Sequence, residues 1–391
     1  MAPTLTPSRK GIRLQKISIV EQVLASPGKM VLRVGVVSTA GIASKNYLAM
    51  TQSAGVKCVA VSSRTLEKAQ AWAAERGGGM KAYGSHAELF ADAEIDAVYI
   101  PAPTGVRLPL VQAAAASGKS VLIEKPIAPT AAEAEQMVAA CSMAGVVFMD
   151  GVMFMHNERL PALRAAMDEV EFGELRRVVS DFGFCGDDAF HGSGSGTDGN
   201  IRVDPALEPL GSLGDLGIYN TRLALFAFGW QLPVSVSAVC HTRRHGVPID
   251  ISSTLNFGGG RSSTFTNSFE TSFRQHAAFV GTGQSIEITD MCLSGTTSTE
   301  CAYTLYRKHG LTKHDVLVEK EVEEVAVKMA HGQEVSMWEK FRELHEARAE
   351  DTKGPDDMDG RAWWATQALN TQRVLDALMA SAAQDGKVVA L

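Results

Sequence analysis

From Val31 onward, short runs of apolar residues alternate with longer stretches that have helical periodicity. The apolar runs are β-branched and nearly continuous in hydrophobicity, which is typical of strands buried on both faces of a parallel sheet. The stretches between them are rich in Ala, Leu, Met, Glu and Lys, which favour helices. We predict strands at Val31–Val37, Val56–Ser62, Ile95–Pro101, Ser120–Glu124 and Val146–Met149, and helices at Ile42–Gln52, Leu66–Arg76, Val106–Ser117 and Ala131–Ala144.

The last of these helices has clear end signals. Thr130 and Glu133 have the spacing of a capping box, and Gly145 stands where a left-handed residue would end the helix. Repeated strand–helix–strand units imply right-handed crossovers and a doubly wound parallel sheet. The sequence therefore predicts an α/β domain over residues 31–152.

After Gly151 the pattern changes to strands with few helices between them, as in an α+β domain with a largely antiparallel open sheet. We assign this domain to residues 153–391 and expect its last helix to pack back on the first domain. The predicted helices are Leu160–Glu169, Leu213–Phe228 (closed by Gly229), Glu334–Glu350 and Trp363–Ala383, and the predicted strands are Leu175–Phe184, Val234–Arg243, Ile251–Phe257, Ser263–Phe269 and His276–Thr289, with a polar segment at Gly186–Asn200.

Composition agrees with two soluble domains. The chain has 391 residues, 45% hydrophobic and 21% charged, which is enough apolar mass for two cores. Its net charge of −7 argues against nucleic-acid or anionic-membrane partners, and no apolar run approaches the roughly 18 residues that span a bilayer. The six cysteines are scattered, so we interpret them as small buried hydrophobes in a reducing compartment and expect no zinc site.

Residues 1–30 form a separate N-terminal extension. Arg9, Lys10, Arg13 and Lys16 precede the first acid, Glu21. This basic, amphipathic segment fits either an organelle-targeting peptide or an ordinary extension, and we favour the extension. The predicted location is the cytoplasm.

A turn rich in small residues follows the first strand. Ser38, Ala40 and Ala43 occupy the positions where a dinucleotide-binding turn usually has glycine or alanine, and Gly41 is an additional glycine. Small side chains let the backbone approach a pyrophosphate at the start of the next helix. A plain strand–helix turn would have the same composition, so this pattern alone leaves both interpretations open.

The end of the second strand bears on the choice of cofactor. Ser63 and Arg64 stand where an NAD site usually has an acid for the ribose hydroxyl. Arginine and serine can donate to a 2′-phosphate, so we favour NADP(H) over NAD(H). The alternative is that Arg64 is a solvated residue at the start of a helix.

Two further motifs carry candidate chemistry. Lys125, between Glu124 and Pro126, follows the predicted strand Ser120–Glu124 at the carboxyl edge of the sheet, where such sheets bind ligands. Asp215 and Tyr219 lie four residues apart and would share one face of a helix. A lysine can protonate an oxygen on the reacting carbon, and a phenol beside a carboxylate can act as an acid or base. The alternative for the second pair is a dipole-stabilised helix start and a core aromatic.

In combination these segments resemble the glucose–fructose oxidoreductase, inositol dehydrogenase and MocA-like (Gfo/Idh/MocA) family. The resemblance covers roughly Leu32 to Leu391 and looks strongest toward the dimeric dihydrodiol dehydrogenases and NADP-dependent xylose dehydrogenases. It rests on the order and spacing of Tyr83-Gly84-Ser85, Ile95–Pro101, Glu124-Lys125-Pro126, Phe148–Gly151, Met153–His156 and Gly211–Tyr219.

The resemblance implies a Rossmann domain and hydride transfer between a nicotinamide and a carbinol carbon of a sugar, polyol or cyclic diol. It makes Lys125 the catalytic lysine and Tyr219 the general acid or base, with Asp215, Phe154 and His156 also in the substrate pocket. Members commonly pair as homodimers through the open face of the second sheet. The implied cofactor contacts are Ser38, Thr39, Ala40, Gly41, Ile42, Ser63, Arg64, Pro101, Thr104, Glu124 and Lys125.

The sequence departs from the family pattern at Ser38, which replaces the first glycine of the turn, and at Arg107, where the family usually has a histidine. An arginine is no base at neutral pH, so the role of that histidine is either lost or electrostatic. These departures motivate a second hypothesis, a cofactor-binding regulator without activity. A third is a glycosidase that uses bound NAD, and a metal role for His191 is disfavoured.

Overall fold

The computed structural model describes residues 31–192, 200–293, 299–308 and 321–391. The predicted N-terminal extension and residues 193–199 of the polar segment lie outside the described residues.

The first half of the described chain contains a six-stranded parallel sheet in the order β3-β2-β1-β4-β5-β6. The order reverses between β1 and β4, which leaves a crevice at their carboxyl ends. This confirms the predicted doubly wound sheet. The strands are β1 (Leu32–Val37), β2 (Val56–Ser62), β3 (Lys81–Tyr83), β4 (Ala97–Ile100), β5 (Ser120–Ile123) and β6 (Phe148–Asp150).

The helices of this half cover both faces of the sheet. Thr130 caps the fifth helix by accepting a hydrogen bond from the Glu133 amide, and Gly145 has a φ of 68°, as the end signals predicted. The edge strand β3 and the helix after it were not predicted, because both are too short to show a period. The helices are α1 (Gly41–Gln52), α2 (Leu66–Glu75), α3 (His86–Ala91), α4 (Arg107–Ala116) and α5 (Ala131–Met143).

The second half of the described chain contains a nine-stranded sheet in the order β14-β13-β12-β11-β7-β10-β9-β8-β15. Only β7 and β10 pair in parallel among these described strands, which confirms a largely antiparallel sheet. The strands are β7 (Leu175–Cys185), β8 (Ser235–Arg244), β9 (Val247–Gly258), β10 (Arg261–Ser268), β11 (Glu270–Gly281), β12 (Ser285–Ile288), β13 (Glu300–Lys308), β14 (Glu321–Lys328) and β15 (Val389–Ala390).

Three sequence predictions in this half were wrong in detail. The single strand His276–Thr289 is two strands, because the Gly281 amide bonds the Gln284 carbonyl at 2.9 Å and closes a turn. The helix Leu213–Phe228 begins with a π-helical turn at Leu213–Gly217. Strands β13, β14 and β15 were not predicted. The helices are α6 (Arg159–Met167), α7 (Asp188–His191), α8 (Ile218–Ala227), α9 (Gln333–Ala347) and α10 (Arg361–Ala382).

The last long helix, α10, packs on both halves of the molecule. It contacts β6 and α5 of the first sheet layer and α8 and β8 of the second. A fully buried ion pair joins Arg222 of α8 to Asp150 of β6 at 2.5 Å, and Arg222 also donates to Thr371 of α10 at 2.6 Å. No helix in the described part of the chain is long and apolar enough to cross a membrane.

Candidate active site

A cavity of about 580 Å³ lies between the carboxyl edge of the parallel sheet and the second sheet. Its walls come from the turn before α1, the segments after β4 and β5, the π-helical turn, and the start of α9. Eight of the predicted site residues line it, namely Ala40, Gly41, Ile42, Pro101, Glu124, Lys125, Asp215 and Tyr219.

The start of α1 forms one end of this cavity. Within the described chain no side chain caps α1, and its first turn holds no acid. A Cβ added at Gly41 would meet nothing within 4 Å, so the space in front of the helix is open. A free helix N-terminus with small residues and no negative charge suits an anionic pyrophosphate, so this donor set fits a dinucleotide.

Ser38, which replaces the first glycine of the usual turn, has a left-handed backbone conformation. Its φ of 117° is in the region that glycine favours, and its Oγ accepts a hydrogen bond from the Ala40 amide at 3.2 Å. The hydroxyl therefore closes the turn on itself. Ser38 and Thr39 lie outside the cavity lining.

Arg107 supports the backbone of the Glu124-Lys125-Pro126 segment. Its side chain is buried, and its guanidinium donates to the carbonyls of Ala102 and Glu124 at 2.6 Å each and to that of Pro126. These carbonyls include those on both sides of Lys125. Arg107 also lines the cavity, so its charge acts on the backbone and at the cavity wall.

Lys125 is held by the carboxylate of Asp215. Its Nζ donates to Asp215 Oδ1 at 2.7 Å and to the Asp215 carbonyl at 2.8 Å. The other carboxylate oxygen accepts from Arg202 Nε at 2.8 Å. Burial acts to raise the pKa of Asp215, but the charges of Lys125 and Arg202 outweigh it and lower that pKa to about 2. Asp215 is therefore an anion that fixes the position of the Lys125 ammonium.

Tyr219 lies beneath the same ammonium. Lys125 Nζ is 5.1 Å from the centroid of the Tyr219 ring, a cation–π distance. The hydroxyl donates to Met153 Sδ at 3.6 Å and lies beside Cys292. Burial above all raises the pKa of Tyr219 well above its usual value, so the phenol keeps its proton. The two predicted groups therefore lie next to each other in the cavity.

The remaining predicted site residues lie outside the cavity lining. Thr104 is buried and donates to Glu208 through both its amide and its hydroxyl. His156 stacks on Trp364 at 4.7 Å, and Phe154 packs edge-on against Tyr219 at 6.0 Å, so neither enters the substrate space as the resemblance implied. Burial lowers the pKa of His156 to about 3.

Ser63 and Arg64 directly follow β2 and also lie outside the cavity lining. Ser63 is buried, and its amide donates to the Tyr83 carbonyl at 3.2 Å. Arg64 is exposed.

Sequence reasoning missed several residues of the cavity wall. Arg202 and Cys292 come from segments without a recognisable motif, and Lys45 pairs with Glu334 of the distant helix α9 at 2.5 Å. Cys292 is 1% exposed, as predicted for the cysteines, but its place beside Tyr219 was not predicted. No sequence signal links these positions, because the fold alone brings them together.

The prediction that all six cysteines are buried was wrong for Cys185, which is exposed at the end of β7. Cys58 and Cys240 are half-buried.

Two family models match the chain. Residues 32–152 match "Oxidoreductase family, NAD-binding Rossmann fold", and residues 161–287 match "GFO/IDH/MocA C-terminal domain". These ranges contain Lys125, Asp215 and Tyr219.

Characterised relatives and solved structures agree with this match. The trans-1,2-dihydrobenzene-1,2-diol dehydrogenase of Mus musculus is 34% identical over 65% of this chain and 73% of its own length. The D-xylose 1-dehydrogenase (NADP(+)) 2 of Haloferax volcanii is also 34% identical, over 62% of this chain and 71% of its own. A 3-ketoreductase of Actinomadura kijaniata, solved with NADP and TDP-benzene, is 22% identical with a TM-score of 0.73, covering 90% of this chain and 97% of its own, and supports the fold.

Proposed function

The chain belongs to the Gfo/Idh/MocA family of oxidoreductases, and we propose that it uses NADP(H) to interconvert a CH–OH and a C=O group of a sugar, polyol or cyclic diol. The observation that carries this proposal is the convergence of Lys125, Asp215 and Tyr219 in one cavity with the open start of α1. The names of the relatives, a diol dehydrogenase and a sugar dehydrogenase, support the substrate class.

The first half of the chain would hold the dinucleotide. The amides at the start of α1 would bind the pyrophosphate, and Glu124 would bind the nicotinamide ribose. A bound nicotinamide supplies or accepts the hydride. Ser63 and Arg64 at the end of β2 support NADP over NAD, because no carboxylate stands there to repel a 2′-phosphate.

The protein's part in the chemistry is to move one proton and to fix the reacting oxygen. Lys125, held at 2.7 Å by Asp215, would exchange a proton with the substrate oxygen. Asp215 orients the ammonium, and the charges of Lys125 and Arg202 together keep Asp215 ionised. The protonated phenol of Tyr219 would form the wall below the substrate and is a weaker candidate for the same proton transfer.

We further propose a homodimer formed through the open face of the second sheet. Val179 of β7 and Val239 of β8 are each 45% exposed. This is a high exposure for valine side chains within the nine-stranded sheet. Size-exclusion chromatography with light scattering measures the mass in solution, and a monomeric mass would contradict the proposed homodimer. The six free thiols fit the predicted cytoplasmic location, a reducing compartment.

The test is a titration of the protein with NADPH and NADH, followed by a spectrophotometric screen of pentoses, hexoses and cyclic diols with NADP and NAD side by side. We expect tighter binding of NADPH and turnover of at least one substrate. Binding without any turnover would instead favour a regulator. Release of a sugar from a glycoside without net change in the cofactor would identify a glycosidase.

A further inference from the structure

A chain of buried hydrogen bonds connects helix α9 to the carboxylate of Glu124. Trp338 Nε1 donates to Asn46 Oδ1 at 2.9 Å, Asn46 Nδ2 donates to Tyr99 OH at 2.7 Å, and Tyr99 OH donates to Glu124 Oε1 at 2.6 Å. Trp338 and Tyr99 are fully buried and Asn46 is 2% exposed, so water does not substitute for any of these partners.

The direction of this chain follows from the chemistry of its members. An indole N–H can only donate, so it orients the Asn46 amide with its oxygen toward Trp338 and its NH₂ toward Tyr99. The Tyr99 oxygen accepts from that NH₂, and its proton therefore points to Glu124. Burial and the nearby Glu124 charge raise the pKa of Tyr99 well above its usual value, which keeps this phenol a donor.

Glu124 is fixed at both oxygens. While Oε1 accepts from Tyr99, Oε2 accepts from the Lys125 amide at 3.2 Å. Glu124 also lines the cavity. The orientation of the Glu124 carboxylate thus depends on side chains from β4, α1 and α9. Through its bond to the Lys125 amide, the same carboxylate also holds the start of the Lys125-Pro126 segment.

We propose that Tyr99 and Asn46 are positioning residues that hold the Glu124 carboxylate in its cofactor-binding orientation, with Trp338 as the anchor of the chain on α9. This rests on the proposed function only in taking Glu124 to face the bound dinucleotide. Docking of α9 against α1 is then required for tight dinucleotide binding, although Trp338 and Asn46 are 292 residues apart along the chain.

The test uses Tyr99→Phe, which removes one hydroxyl and keeps the ring. Glu124 then loses its donor, and its carboxylate is free to turn away from the cofactor-binding orientation. We expect the Kd for NADPH to rise about tenfold, a typical loss for a hydrogen bond to a charged group. The Kd for 2′,5′-ADP, which lacks the nicotinamide ribose, should stay at the wild-type value. Fluorescence titration with NADPH, and competition against NADPH by 2′,5′-ADP, measure both constants without substrate.

Tyr306→Phe is the matched control. It removes a phenol-to-carboxylate bond of 3.1 Å, from Tyr306 to Glu287, in the second sheet and outside the cavity lining. Its Kd values for NADPH and for 2′,5′-ADP should equal those of the wild type. A merely structural role for Tyr99 would lower the melting temperature and raise the Kd for both ligands alike.

Trp338→Phe supplies an independent test, because it removes the indole N–H at the far end. We expect a smaller rise in Kd than for Tyr99→Phe, and a double variant no weaker than Tyr99→Phe alone, since both changes break one chain. Additive rises in Kd in the double variant, or an unchanged Kd for NADPH in Tyr99→Phe, would overturn this inference and leave the proposed function standing. Wild-type protein that bound neither NADPH nor NADH would overturn the proposed function as well. If Tyr99→Phe does not fold, the Kd of Trp338→Phe for NADPH tests the inference instead, and an unchanged Kd would overturn it.

Discussion

At the scale of single residues, Lys125 occupies an environment that makes its ammonium both fixed and accessible. Its side chain is 15% exposed, and it is bonded to Asp215 on one side and lies over the Tyr219 ring on the other. A proton donor in a catalytic site needs this combination of a defined position and an open face.

Lys125→Ala should therefore lower turnover by about two orders of magnitude or more, the size of a lost acid–base group. NADPH should still bind, because the start of α1 is unchanged. Steady-state kinetics and NADPH titration measure the two effects separately.

Lys81→Met is the control for this experiment. It also breaks lysine–carboxylate pairs, to Asp92 and Glu94, but outside the cavity lining. Its turnover should match that of the wild type. An unchanged rate in Lys125→Ala would remove Lys125 from the mechanism.

At the scale of elements, the π-helical turn Leu213–Gly217 presents Asp215 to Lys125. The turn fits closely against β10, because a Cβ on Gly217 would lie 2.5 Å from Asn267 Oδ1 and 2.8 Å from Leu213 Cδ1. Either the side chains of Asn267 and Leu213 or the turn itself must then shift. We expect the turn to move, which would displace Asp215 relative to Lys125.

Gly217→Ala should lower kcat on the order of ten- to a hundredfold, since small displacements of catalytic groups have effects of this size. The Kd for NADPH should change little. Kinetics combined with NADPH titration test this prediction.

Gly354→Ala is its control, because a Cβ at Gly354 would meet nothing within 4 Å. Equal kcat values for both variants would show that the π-helical turn tolerates the shift and does not position Asp215.

At the scale of the whole molecule, the ion pair of Arg222 and Asp150 fastens the two sheet layers to each other. Both side chains are at most 1% exposed. Removing one partner leaves a buried, unpaired charge, which is far more destabilising than removing both.

Arg222→Leu should lower the free energy of unfolding by about 3–5 kcal/mol. The double variant Arg222→Leu with Asp150→Leu should recover much of this loss, because no charge then remains unpaired. Urea denaturation followed by circular dichroism measures both. A double variant less stable than Arg222→Leu would contradict the ion-pair explanation.

Sequence by itself determined the architecture and predicted that Lys125, Asp215 and Tyr219 share one site. Buried parallel strands need continuous apolar runs, so β1, β2, β4 and β5 were visible as patterns. Parallel strands also bring their carboxyl ends to one edge, which is why the turn before α1 and the Lys125 segment could be placed together. Local rules located the ends of α5, because a cap involves residues only three or four positions apart.

Only the tertiary structure decided which distant side chains complete the site. Arg202 contacts Asp215, Cys292 lies beside Tyr219, and Trp338 donates to Asn46. The loop and helix packing that forms these pairs leaves no periodic pattern in the sequence. The same packing turned His156 toward Trp364, made Arg107 a support for backbone carbonyls, and gave the start of α8 a π-helical turn. Periodicity reports which face of an element is buried, whereas the partner on that face depends on the folded arrangement of the whole chain.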